Sequence, residues 1–310
     1  MKVRVPATIA LACAAALVSS ACGDSAAGEG DGRLTVVAST SAWASVVRAV
    51  AGDEVTVTAV IEDPVADPHS YESTAEDALK FTEADLAVVN GGGYDAFADG
   101  LAEQAPDVPV IDAFEASGHE SKEHAEDHDN AHEHGGVNEH VWYDLATVAE
   151  VADQVAERLG QVAPEQAATL EASAKRFGKG LHTLELELDG IGKAGGKEVL
   201  ATEPVAHYLL EAAGLRDVTP AEYSNAIEGD TDVPVAAQAE VTRLVEGEKV
   251  SAVVHNPQTE TDVTGQLVAA AGKAGIPVVQ VSETLPEGES DYLAWVGGEV
   301  AELNAAVAGS

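Results

Sequence analysis

From Pro164 to Leu188 the chain reads PEQAATLEASAKRFGKGLHTLELEL. Apolar residues stand at Ala167, Leu170, Ala174, Phe177, Leu181, Leu184 and Leu188, three or four positions apart, the spacing of one stripe along an α-helix. Pro164 suits a first helical turn, where the missing N–H would have no intrahelical partner. At ~1.5 Å per residue the helix is roughly 35–40 Å long, the span of a whole domain. Gly178 and Gly180 work against it, each by about 1 kcal/mol relative to Ala.

On both sides of this segment, short β-branched runs alternate with longer amphipathic ones. LTVVA (34–38), VTVTAV (55–60), DLAVV (85–89) and VPVID (108–112) read as strands before it, and EVLAT (198–202), SAVVH (251–255) and IPVVQV (276–281) after it. Helical patterns follow at 204–213, 234–247, 260–274 and 290–306. Strand and helix in alternation predict parallel sheets covered on both faces. The expected architecture is α/β, with two lobes joined by one long helix.

The composition narrows the function. Against 54 Asp and Glu stand 16 Lys and Arg, a formal net charge of -38, which repels nucleic-acid phosphate and anionic lipid surfaces. The two cysteines, Cys13 and Cys22, rule out a disulfide scaffold and a zinc site built on paired thiolates. Most of the acidic excess serves solubility, with a lesser share drawing divalent cations towards the surface.

Lys2 and Arg4 precede VPATIALACAAALV, an apolar run of 14 residues, too short to span a bilayer. With the small residues before Cys22, this has the form of a secretory signal peptide over 1–21. Leu17-Val18-Ser19-Ser20-Ala21-Cys22 resembles the lipobox of bacterial lipoproteins, with Ser19 where an aliphatic residue is usual. Lipidation of Cys22 would anchor the exported chain to the outer face of the cytoplasmic membrane, and the small, polar 22–32 would be its tether.

SGHESKEHAEDHDNAHEHGGVN (117–138) carries half of the ten histidines and almost no apolar side chains, so it cannot pack a core and is expected to be a loop. His124, His128 and His132 recur at spacing four, with His119 and His134 nearby. Imidazoles among carboxylates suit auxiliary capture of a divalent metal.

Two further segments place histidine beside turn or cap residues: Asp67-Pro68-His69-Ser70-Tyr71-Glu72, and Asn138-Glu139-His140-Val141-Trp142-Tyr143-Asp144 ahead of a helix. Together with KFTEADLAVVNGGGYDAF, APEQAATLEASAKRF, TEPVAHYLLEAAGL and IPVVQVSETLP, they resemble the zinc- and manganese-type solute-binding proteins of bacterial ABC importers over nearly the whole mature chain. The resemblance implies two Rossmann-like lobes with parallel sheets, one long rigid helix between them, and a metal buried at their interface. It divides the chain into an N-terminal metal-binding lobe (33–145), a helical linker (146–195) and a C-terminal metal-binding lobe (196–310).

Carried over by residue, the resemblance implies His69, His140, Glu203 and Glu283 as metal ligands. Glu203 stands where zinc-type members usually have His and manganese-type members often have Glu, and Glu283 where Asp is commoner. His207, four residues after Glu203, would share its face on a helix and is an alternative ligand. His255 is expected to line the cleft at a strand end, and His182 to lie on a helix surface. Zinc is the favoured ion and manganese the alternative, because two imidazoles with two carboxylates suit either according to how the carboxylates bind. The implied function is extracytoplasmic metal capture and delivery to a membrane permease, by a monomer without enzymatic activity. A metal-stabilised surface adhesin is a second reading, and a zinc hydrolase a third, for which no HExxH is present.

Overall fold

The computed structural model describes residues 33–119, 138–193 and 196–308. The leader, Cys22, the tether, and His124, His128, His132 and His134 lie outside the described residues.

The first sheet holds β1 (Leu34–Thr40), β2 (Val55–Ile61), β3 (Leu86–Val89) and β4 (Val110–Asp112), all parallel, in the order β2-β1-β3-β4. The second holds β5 (Glu198–Ala201), β6 (Arg216–Asp217), β7 (Val253–His255) and β8 (Val278–Gln280), also parallel, in the order β6-β5-β7-β8. Both follow one plan. The second strand pairs on one side of the first, and the third crosses to the other side, which opens a crevice beyond the carboxyl ends of the first and third strands. The run from Val36 to Ser39 has no exposed surface, as a strand covered on both faces requires.

Helices α1 (Ser41–Ala51), α2 (Ala75–Thr82), α3 (Ala96–Gln104) and α4 (Ala113–Ser117) accompany the first sheet. The expected linker is two helices packed on each other, α5 (Leu145–Val162) and α6 (Ala167–Gly192). The second sheet carries α7 (His207–Ala212), α8 (Ala221–Glu228), α9 (Val235–Glu246), α10 (Asp262–Ala274) and α11 (Tyr292–Ala308). No helix among the described residues is long and apolar enough to cross a membrane.

The long helix is present, at 26 residues and about 39 Å. It starts later than the pattern implied. Pro164 to Gln166 form a turn ahead of it, and Ala167 is only partly buried. Its buried stripe runs from Leu170 through Ala174, Phe177, Leu181, Leu184 and Leu188 to Ile191. These side chains belong to one apolar cluster that also includes Trp43 and Val46 of α1, Val151 of α5 and Trp295 and Val300 of α11, so α6 joins the two lobes. Gly180, unfavourable for helix propensity, has a packing reason: a Cβ there would stand 2.3 Å from Leu293 Cδ1 of α11.

Two elements were not foreseen. β6 is two residues long, too short to show an alternation. α8 mixes polar and apolar residues and buries only Tyr223, Ala226 and Ile227. The stretch read as helix at 204–213 is a single 3-10 turn at Pro204–Ala206 followed by the short α7.

Hydrogen bonds tie the lobes directly. Tyr292 Oη donates to Trp142 O (2.6 Å), Tyr143 Oη to Ser282 O (2.9 Å), and the Leu285 amide to Ser41 Oγ (3.1 Å). Beside this seam lies Glu299 of α11. Its Oε1 accepts from Trp295 Nε1 (2.9 Å), while Oε2 has no hydrogen-bond partner. Burial pushes its carboxyl up to about 8, against the opposing hydrogen bond from Trp295.

Two outcomes are expected. Leu188→Ala, at a site with no exposure, should cost roughly 2–5 kcal/mol in urea denaturation. Glu299 keeps its proton in the fold at pH values where the unfolded chain has lost it, so its contribution to stability falls as pH rises from about 4.5 to about 8. Glu299→Gln should therefore match the native chain near pH 5 and exceed it near pH 9 by roughly 2–4 kcal/mol in denaturant melts of metal-free protein.

Candidate metal centre

Glu203 and Glu283 follow the carboxyl ends of β5 and β8 and His69 lies in the connection after β2, whereas His140 stands ahead of α5. His69 comes after β2, on a single 3-10 turn at Pro68–Ser70. Pro68 occupies its first position, and Asp67 caps it by accepting the His69 amide at 2.9 Å. The His69 side chain keeps 28% of its surface exposed, and its ring meets the Tyr94 ring edge-on, with centroids 4.9 Å apart.

His140 is fully buried. Asn138 Oδ1 accepts both the His140 amide and its Nδ1–H, each at 2.8 Å. That contact orients the ring so that Nε2, the nitrogen a metal would take, points inward. Asn138 also crosses to the second lobe, since its Nδ2 donates to Pro204 O (2.7 Å) and its carbonyl accepts from Tyr208 Oη (2.7 Å).

The Gly91-Gly92-Gly93 turn after β3 fixes the floor. All three have positive φ, and a Cβ on Gly91 or Gly92 would enter the Asp112 carboxylate or the Phe114 ring at 2.2 and 2.6 Å. Asn90 ahead of the turn accepts from Trp43 Nε1 (3.0 Å) and donates to Glu139 O (2.9 Å), linking β3 to the His140 segment. The turn delivers Tyr94, whose ring faces both histidines and whose hydroxyl donates to Glu283 Oε2 across the lobes (3.1 Å). Burial and the Glu283 charge hold the Tyr94 phenol well above its ordinary pKa, so it stays a donor.

The second lobe supplies carboxylates. Glu283, after β8, accepts from Asn256 Nδ2 on Oε1 (2.9 Å). Burial raises its pKa, and His140 and His69 work the other way. Glu203, after β5, accepts from Thr259 Oγ1 on Oε1, and its buried Oε2 has no hydrogen-bond partner. Burial, reinforced by the Glu228 and Glu283 charges, pushes it up to about 7.

Donor atoms of His69, His140 and Glu283 all lie within 4.8 Å of one another, and a second such group joins His69, Glu139 and Glu228. Glu203 is in neither group. Glu228 was not singled out in the sequence, yet its Oε1 lies 3.3 Å from His140 Nε2 and 3.6 Å from His69 Nε2. The signal lay in Ala-Ile-Glu228-Gly229: a carboxylate on the last residue of a helix opposes the macrodipole and calls for a compensating positive charge. Burial resists a charged His140, but the carboxylates of Glu228, Glu139 and Glu283 outweigh it and raise the imidazole pKa. The local potential therefore favours a cation, and the buried, unpartnered His140 Nε2, Glu203 Oε2 and Glu228 Oε1 have the chemistry to bind one.

Other histidines stand apart. His207 is exposed and reaches towards Glu211 (3.9 Å), so it does not join the cluster. The shared helical face assumed for it does not form, because Glu203 is in extended backbone (φ −148°, ψ 164°) ahead of the 3-10 turn. His119 stacks on Tyr208 and meets Asp144 Oδ2 at 3.1 Å. His255 is buried at the end of β7 against Glu260 (3.2 Å), and His182 is exposed beside Glu185.

Residues 36–306 match the family model of the periplasmic zinc-uptake complex component A, ZnuA. The chain is 23% identical over 252 residues to the zinc-binding lipoprotein AdcA of Streptococcus pneumoniae, covering 79% of this chain and 49% of that protein. It is 27% identical over 179 residues to the manganese-binding lipoprotein MntA of Halalkalibacterium halodurans, covering 55% and 54%. It thus spans about half the length of these curated relatives. The periplasmic zinc-binding protein TroA from Treponema pallidum superposes with a TM-score of 0.72 at 17% identity, over 89% of this chain and 99% of that one. FpvC from Pseudomonas aeruginosa, in complex with Mn2+, gives 0.70 at 20% identity, with the same coverage. At those identities the likeness is one of fold. The family match, by contrast, runs from β1 into α11, and the chain belongs to the zinc-uptake complex component A family.

Proposed function

We propose that this protein is the extracytoplasmic substrate-binding component of a metal ABC importer, which captures one divalent ion and delivers it to a membrane permease. The observation that carries the reading is the convergence of His69 and His140 from one lobe with Glu283 from the other. Glu203 is proposed as a further donor, its free Oε2 buried beside the same space. Zinc is the preferred cargo, since two imidazole donors suit it and the family is one of zinc uptake. Manganese is the alternative, favoured by the number of carboxylates around the site.

In this reading 33–145 and 196–310 are the two metal-binding lobes and 146–195 the helical linker. The mature chain is a monomer held at the outer face of the cytoplasmic membrane by lipid on Cys22, and the histidines of 117–138 gather ions for the tight site. The ion is cargo, and no bond of a substrate is broken. Seam hydrogen bonds and α6 restrict relative motion of the lobes, so capture and release proceed by local movement of ligand segments, with little change in overall dimensions.

Metal-stripped protein should remain folded by circular dichroism and rebind one tight equivalent of zinc in competition with a chelator. An adhesin that uses metal as a structural staple would unfold when stripped. His140→Ala should weaken the tight equivalent by at least ~100-fold. Asn138→Ala, which leaves both imidazoles in place but frees one to rotate, should weaken it by roughly 10–100-fold. Deleting 119–134 should remove weaker equivalents only, and loss of the tight one on that deletion would overturn the ligand assignment.

A further inference from the structure

We propose that Glu228 is itself a metal ligand, a carboxylate donor from the end of α8 beside His69, His140 and Glu283. The proposal rests on the metal-capture reading and extends its ligand set.

Distance is the first argument. With metal–nitrogen and metal–oxygen bonds of roughly 2.0–2.2 Å, adjacent donor atoms of a tetrahedral ion stand about 3.3–3.5 Å apart. Glu228 Oε1 lies 3.3 Å from His140 Nε2 and 3.6 Å from His69 Nε2, the spacing of atoms that share an ion. A charge-assisted hydrogen bond would draw the pair in to about 2.7–2.9 Å.

Orientation is the second. Asn138 Oδ1 accepts from His140 Nδ1, so Nε2 is the nitrogen left facing the Glu228 carboxylate. Beyond that contact and the one from His69 Nε2, His140 Nε2 and Glu228 Oε1 are buried without hydrogen-bond partners.

Placement is the third. Glu228 is the final residue of α8, where the helix carbonyls already concentrate negative charge. Gly229 follows, and Asp230 has φ +47°, so the chain turns sharply just beyond the donor. A carboxylate in that position is stabilised by a metal ion in front of it.

The consequence concerns selectivity. Glu228 raises the oxygen share and the coordination number available to the ion, which benefits manganese more than zinc, for which four donors suffice. The test uses the full mature chain, stripped of metal, with Glu228→Ala and the isosteric Glu228→Gln, titrated separately with Zn2+ and Mn2+ in chelator competition. Both variants should lose at least ~10-fold in zinc affinity and more in manganese affinity, and Co2+ bound at saturation should change its visible absorption. Unchanged affinities and an unchanged Co2+ spectrum would overturn the proposal. Tighter binding would overturn it too, because Glu228 would then be an internal competitor that the ion displaces. His140→Ala serves as the reference: if it also binds normally, the metal-capture reading itself fails, whereas a weakened His140→Ala beside normal Glu228 variants rejects only the assignment of Glu228.

Discussion

Glu203, Glu228 and Glu283 come from three separate segments of the second lobe into one largely buried space, and the folded chain holds them there against their mutual repulsion. Burial alone disfavours each charge. Glu283 is offset by two donors, Tyr94 and Asn256, and Glu203 by Thr259. Glu228 faces the two imidazoles. This leaves a region of negative potential ringed by fixed dipoles, with the imidazoles of His69 and His140 beside it. Such a region discriminates for a small doubly charged cation by charge and geometry together, before any contribution from the acidic exterior.

Holding that arrangement requires rigid supports, and the architecture supplies them at short range. Every donor sits within a few residues of a strand end or a helix end, so the sheets fix where the donors start. The seam then fixes how the lobes meet. Tyr94, Tyr143 and Tyr292 each reach across it by a phenolic hydroxyl, a group that buries an apolar ring and still places one polar atom. Asn138 does so while orienting His140, which couples the tautomer of a ligand to the contact between lobes. A shift in the seam would therefore be felt at the imidazole directly.

The sequence made the fold legible where periodicity was strong. The stripe from Leu170 to Leu188 marked α6, and seven β-branched runs marked seven of the eight strands. It was less informative where an element is short or held by tertiary contacts. β6 has two residues, and α8 has no sustained stripe, so nothing in the local pattern separates them from loop. The site divides along the same line. His69 and His140 were reached through the family resemblance of the segments that hold them, since a histidine beside Pro68 or Asn138 alone reads as an ordinary turn or helix cap. The face expected to join Glu203 and His207 depended on a helix that begins only at His207, and a change of backbone from extended to helical sends the two side chains apart. Glu228 was hidden by the numbers: it is one of 54 acidic residues, and its place at a helix end becomes a signal only once α8 is known.

The division of donors between the lobes has a mechanical meaning. Imidazoles come from the first lobe and carboxylates from the second, so an ion bound to both completes a bridge that hydrogen bonds have already begun. His140, fixed by Asn138 and by Trp142 packing, has little freedom to withdraw. Among the carboxylates, Glu283 is held on both oxygens, whereas Glu228 is the last residue of an eight-residue helix followed by glycine. With Glu228 as the ligand proposed above, its withdrawal on α8 would give up the contacts to His69 and His140 and leave the tyrosine and Asn138 bonds of the seam intact.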